Sequence, residues 1–171
     1  LYSITGYGML HGGGRDDLMV NNIVARAGRL LAADSRCFEW QPSFPNDTPG
    51  DAGNLLEKLV QLGYQDEPWA SAYPACAAIP NDWAAITAPG AKWLFPEGST
   101  LARNIGFGNG QLIQATPGTL GVYADVSDDL DEVDPLFVDE AGLDLSLQPG
   151  SPAHDIPGWE EIPFDTIGIQ P

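Results

Sequence analysis

Basic residues are scarce: seven Lys and Arg stand against 24 Asp and Glu, for a formal net charge of −17. Without a basic stripe the chain is a poor partner for a phosphate backbone, so no nucleic-acid partner is expected. Long apolar runs are missing too. None approaches the roughly 18 residues that cross a bilayer as a helix, so no membrane span is expected. Cysteine is limited to Cys37 and Cys76, whose spacing fits no zinc pattern. A Gly-Lys-Ser/Thr phosphate loop and a GxGxxG fingerprint are both absent, although "HGGGRDD" opens with three glycines. The acidic run from Asp125 to Asp134 lacks EF-hand spacing and gives only a weak calcium signal. No metal site and no cofactor are therefore expected. The chain opens at Leu1 rather than Met, which reads as a processed or excised piece of a longer protein.

Glycine (20) and proline (15) are abundant, about a fifth of the 171 residues against about 12% in average proteins. That favours short strands and many turns. Apolar content of 43% is globular. The scattered acid suits a solvated surface in a salty or extracellular medium. The sequon Asn46-Asp47-Thr48 lies in a Pro-rich stretch where a glycan could sit, so Asn46 is a candidate glycosylation site. A secreted chain with one Cys37–Cys76 disulfide is coherent with these features; two buried free thiols are the alternative.

A repeat organises the chain. "NIVARAGRLLAA" (Asn22 to Ala33) aligns without a gap to "NIGFGNGQLIQA" (Asn104 to Ala115), matching Asn22 to Asn104, Ile23 to Ile105, Gly28 to Gly110, Leu30 to Leu112 and Ala33 to Ala115. Each segment reads as a short strand, a glycine turn and another strand. The register suggests two coils of one solenoid with an excursion between them. The excursion, about residues 41–96, holds one predicted helix, Asp51 to Leu62. Asp51 serves as its N-cap, Gly63 as its stop, and Leu55, Leu56, Leu59 and Leu62 form one face. The aromatic and proline-rich remainder reads as an ordered loop. Strands are expected near Val122 to Val126, Leu136 to Val138 and Leu143 to Leu147, before a Pro-rich end.

These residues carry a resemblance. "GGGRDDLMVNNIV" resembles the "GGRDN…NNI" coil of right-handed parallel β-helix proteins of the pectin-lyase-like class. "EPWASAYPACAAI" resembles their "PPW…RYPELA" excursion, and "STLARNIGF" their following coil. "DPLFVDEAGLDLSLQPGSPAHDIPGWEEIPFDTIGI" resembles their carboxyl end. Departures are Asp17 for the usual Asn, Ala72 for Arg, Cys37 for Gly, and Ala75 and Cys76 for Glu-Leu. The two that introduce cysteine suit a disulfide, which over such a loop would contribute about 3–4 kcal/mol in the chain-entropy model.

The resemblance implies an all-β fold, a right-handed parallel β-helix. Residues 1–40 form a coil, 41–96 the excursion, 97–148 further coils and 149–171 a C-terminal cap. It also implies upstream coils as a partner and a polysaccharide as ligand, at an extracellular or cell-surface location. Glycoside hydrolysis needs two carboxyl groups, and Asp16 and Asp34, near the two ends of one predicted coil, are the catalytic candidates. His11, Arg15, Arg36, Glu39, Trp40, Trp69 and Tyr73 are candidate substrate-binding residues, because arginines orient acidic groups and aromatic rings stack on sugar faces. Lyase chemistry is the second enzymatic reading. A non-catalytic structural or adhesive module remains the alternative, in which the same Arg–Asp groups bond neighbouring coils. Asn22 and Asn104 read as stacked ladder asparagines, and His154 as a surface histidine of the cap.

Overall fold

The computed structural model describes residues 1–34 and 55–167. Short apolar runs between left-handed corners build the frame. The first strands are β1 (Tyr7–Gly12), β2 (Leu18–Val20) and β3 (Ile23–Ala25), followed by β4 (Arg29–Asp34). The chain then runs through the excursion, with α1 (Leu55–Gln61), α2 (Trp69–Ala72), α3 (Pro74–Ala77) and α4 (Trp83–Ile86). Next come β5 (Thr100–Ala102), β6 (Ile105–Phe107), β7 (Gln111–Ala115), β8 (Asp125–Ser127), β9 (Phe137–Asp139) and β10 (Asp144–Leu147).

The strands return in the same order and pair in parallel. One sheet runs β1-β4-β7, a second β2-β5-β8, and a third β3-β6; β9 and β10 form an antiparallel pair. Ile23 faces Ile105, Leu31 faces Ile113 and Ala33 faces Ala115, the offset of the repeat. Corners recur as well. Asn21, Arg103 and Asp128 all take a positive φ (61°, 58° and 55°) just before the chain re-enters the β3-β6 layer. Asn and Asp tolerate this region, and Arg103 is held there by the bond from its N–H to the Ser127 carbonyl (3.2 Å).

The expected all-β, right-handed parallel β-helix is corrected. The described residues give several short sheets and four α-helices, and no closed solenoid is found among them. Strands of three to six residues carry few ladder bonds each. After β8 only the Ile105–Leu130 bridge continues the third layer. The Asp134-Pro135 step then interrupts the ladder, since proline cannot donate, and the chain turns antiparallel. In the excursion α2, α3 and α4 are single turns too short to show a period. Pro74 starts α3, and the Asp82 carboxylate accepts from the Ala85 N–H (2.9 Å) to cap α4. The predicted helix is present as Leu55–Gln61, with Leu56 buried but Leu55 and Leu62 exposed; its expected cap, Asp51, lies outside the described residues. Val122 belongs to a 3-10 turn, Leu120–Val122, rather than to a strand.

Two apolar clusters meet at β3. Val24 joins Ala27, Leu30, Leu31, Ala33 and Leu101 on one side. Ile23 and Ala25 join Ile105, Phe137, Ala153 and Ile156 on the other. Both faces of β3 are therefore covered, so it reads as a continuous apolar run rather than an alternation. The C-terminal segment supplies the second cover. It packs against the side of the β3-β6 layer, and its Glu160 backbone exchanges two hydrogen bonds with the Asn21 side chain (2.7 and 2.8 Å).

The excursion sits on the frame as an insertion. Gly12 neighbours Asp34, and Leu18 neighbours Thr100. A short loop joins Gly12 to Leu18, whereas the chain from Asp34 to Thr100 spans the same gap one layer on.

Candidate functional site

Three groups of side chains concentrate the chemistry. The first is internal. Asn104 is fully buried, and its Oδ1 accepts from Asn22 N–H (3.1 Å) and Asn22 Nδ2 (2.9 Å). Its Nδ2 donates to the Met19 carbonyl and to Asp129 Oδ1, each at 2.9 Å. The ladder expected for Asn22 and Asn104 is present, and Asp129 extends it by one step. Burial pushes the Asp129 carboxyl up, while the hydrogen bonds from Asn104 pull it down. Two other acids of this run serve backbone amides. Glu132 accepts from Gly108 and Asn109 (3.1 and 3.2 Å), and Asp134 from Leu136 (2.8 Å).

The second group is the loop after β1. His11 is 5% exposed. Its Nε2 faces two acceptors, the Gly14 carbonyl (3.1 Å) and Asp17 Oδ2 (3.0 Å), so Nε2 carries the hydrogen. Nδ1 then accepts the Tyr123 hydroxyl hydrogen in the neutral ring. Burial, with the Asp17 charge beside it, pushes the Tyr123 phenol up to about 12. Tyr123 thus stays a protonated donor, and the Asp17–His11–Tyr123 string ties the first loop to the turn before β8. Arg15 donates to Glu97 Oε2 (2.9 Å) and to the Lys92 carbonyl (3.3 Å), with its guanidinium 5.1 Å from the Trp93 ring centroid. Asp16 sits at a corner with φ 56° and its carboxylate lies over Gly98, the position one layer on, which itself has φ 78°. A side chain at Gly98 would collide with that carboxylate.

Arg15 to Glu97, Asp16 to Gly98 and the Asp17 N–H to Ser99 Oγ (3.2 Å) all share the repeat's offset. Extending the Asn22/Asn104 alignment backwards would have found these partners. No comparable signal in the sequence points to Tyr123, which is far from His11 along the chain. Asp34 ends β4 in register with Gly12. Arg36, Cys37, Glu39, Trp40 and Asn46 lie outside the described residues. Cys76 is a free thiol on α3. Among the described residues, no group of three or more His, Cys, Asp or Glu gathers as a metal site. His154 Nε2 donates to Glu161 Oε1 (2.6 Å) at the surface.

The third group is on the excursion. Trp69 opens α2 and Tyr73 is its C-cap residue, whose N–H donates to the Trp69 carbonyl (2.8 Å), so one turn brings the two to the same side. Their rings stack, with centroids 5.5 Å apart and planes at 29°. Both remain outside the core, at 48% and 57% exposure. The preceding Glu67 is fixed on the same turn, its Oε1 accepting from Ser71 Oγ (2.7 Å). Trp83, by contrast, turns inward with Trp93, Leu56 and Ile86 to line a groove of about 180 Å³ against Gly13. Of the candidate aromatics, Trp69 and Tyr73 thus face solvent and Trp40 lies outside the described residues, while Trp83 packs the excursion onto the frame.

Among the described residues no helix is long and apolar enough to cross a membrane. No protein-family model, no curated protein and no solved structure matches the chain.

Proposed function

We propose that this chain is the glycan-binding part of an extracellular carbohydrate-active protein, and that the stacked Trp69–Tyr73 pair is its sugar platform. The observation that carries the reading is the exposure of two large rings, already stacked on one another on a single helical turn. Sugar CH faces pack on aromatic rings, and a pre-stacked pair loses little side-chain freedom on binding. Binding is favoured over cleavage because the groups expected to serve chemistry are engaged in the frame. His11 clasps Tyr123 and Asp17, Arg15 holds Glu97, and Asp16 covers Gly98.

The test is affinity electrophoresis of the chain and of a Trp69→Ala/Tyr73→Ala variant through gels containing a panel of soluble polysaccharides. A reducing-end assay is run on the same mixtures. Retardation by at least one glycan, lost in the variant and without new reducing ends, is the expected result. Equal mobility of both proteins in every gel rejects the platform. New reducing ends that vanish in Asp34→Asn would replace the binding assignment with hydrolysis.

A further inference from the structure

We propose that the Trp69–Tyr73 platform selects an amine-bearing glycan, a polymer of protonated amino sugars, over neutral and uronate chains. The inference rests on the glycan reading above and specifies its ligand. It begins with charge placement. From Leu59 to Ala91 the sequence holds three acids, Asp66, Glu67 and Asp82, and no Lys, Arg or His. A uronate carboxylate laid across α2 therefore meets no cation on its own segment.

The described cations elsewhere have other work. Arg15 pairs with Glu97, and Arg26 pairs with Glu140 and lies 4.4 Å from the Phe107 ring centroid. Arg29 lies 5.3 Å from the Tyr7 ring centroid, Lys92 4.7 Å from that of Phe95, and Lys58 is engaged as well. Arg103 is the exception, its Nε buried beside Gly158 at the C-terminal segment without a hydrogen-bond partner.

The same placement favours an ammonium. Indole and phenol faces carry negative quadrupole charge, and tryptophan is the strongest ring for a cation. Both rings are exposed, so a bound ammonium meets a ring face, and the acids of the segment, Asp66, Glu67 and Asp82, add a negative field around it. The whole-chain charge of −17 steers polycations inward and repels polyanions.

The experiment compares three oligosaccharides of equal length by calorimetry: a glucosamine oligomer, its fully N-acetylated neutral counterpart, and an oligogalacturonate. The buffer is acid enough to protonate the amines. The glucosamine oligomer is expected to bind tightest, with affinity falling as salt rises, and the oligogalacturonate weakest. Trp69→Ala, which keeps the net charge, should weaken glucosamine-oligomer binding about two- to five-fold. Glu67→Gln should weaken the glucosamine oligomer and leave the neutral one unchanged.

Neutral or uronate binding at equal or higher affinity overturns the selectivity while leaving the platform standing. Glucosamine binding that ignores Trp69→Ala is bulk electrostatics and overturns the proposal as well. Absence of binding to all three rejects the glycan reading itself, and this inference with it. Circular dichroism of the variants confirms that the comparison is made between folded proteins.

Discussion

Replacing Asn104 by alanine should destabilise the frame more than any surface change. The side chain is fully buried and makes four hydrogen bonds, to Asn22 twice, to Met19 and to Asp129. Truncation leaves the Asn22 N–H and the Met19 carbonyl without their partner. It also leaves Asp129 Oδ1 with only the Asn104 backbone N–H (2.8 Å). A typical internal hydrogen bond contributes about 1 kcal/mol net, and an orphaned buried group costs about 1–3 kcal/mol. The four bonds act as one network, so the total is less than their sum with every orphan added, and about 3–5 kcal/mol is expected. Against a total stability on the order of 5–15 kcal/mol this is a large fraction. Urea unfolding followed by tryptophan fluorescence reads it as a lower midpoint with an unchanged slope. A loss below about 1 kcal/mol would refute the reasoning, because it would mean the ladder is replaced by water at no cost. Asn104→Asp sharpens the test. It sets a second carboxyl against Asp129, so its destabilisation should shrink as the pH is lowered and one of the two takes a proton.

The Tyr123 phenol has a folded-state pKa raised from 10 to about 12, so it stabilises the fold fully below pH 10 and loses that contribution as pH rises through 12. The wild-type unfolding midpoint should fall over this interval more steeply than that of Tyr123→Phe; parallel curves would show that the phenol is not coupled to folding. A Cβ at Gly28 would lie 2.6 Å from the Gly6 carbonyl oxygen, so Gly28→Ala should cost about 1–3 kcal/mol by thermal or urea unfolding. Gly121→Ala meets open space and should change stability by less than about 0.5 kcal/mol; similar losses in the two variants would contradict the packing.

Legibility followed sequence distance and period. Asn22 and Asn104, and Ile23 and Ile105, could be paired because each layer repeats one demand: an amide in the ladder, then an apolar residue between two covered faces. The same offset, carried back to Arg15, reaches Glu97. The fold class was misjudged because α2, α3 and α4 are single turns, and a four-residue stretch such as Trp69–Ala72 cannot display a 3.6-residue period. For the same reason Trp69 and Tyr73 could be read as candidate sugar-stacking residues, but not as partners. The His11–Tyr123 bond joins segments with different roles and no shared motif, so only the folded chain brings it out.

The excursion leaves and rejoins the frame at positions that are register neighbours of a short loop, Gly12 with Asp34 and Leu18 with Thr100. The entropic cost of closing such a gap grows only with the logarithm of the inserted length. Selection can therefore lengthen, shorten or exchange the inserted segment while the strands keep their neighbours. The surface proposed to meet a glycan and the scaffold that resists unfolding answer to separate pressures. Close relatives could differ widely in what they hold while sharing the column of asparagines underneath.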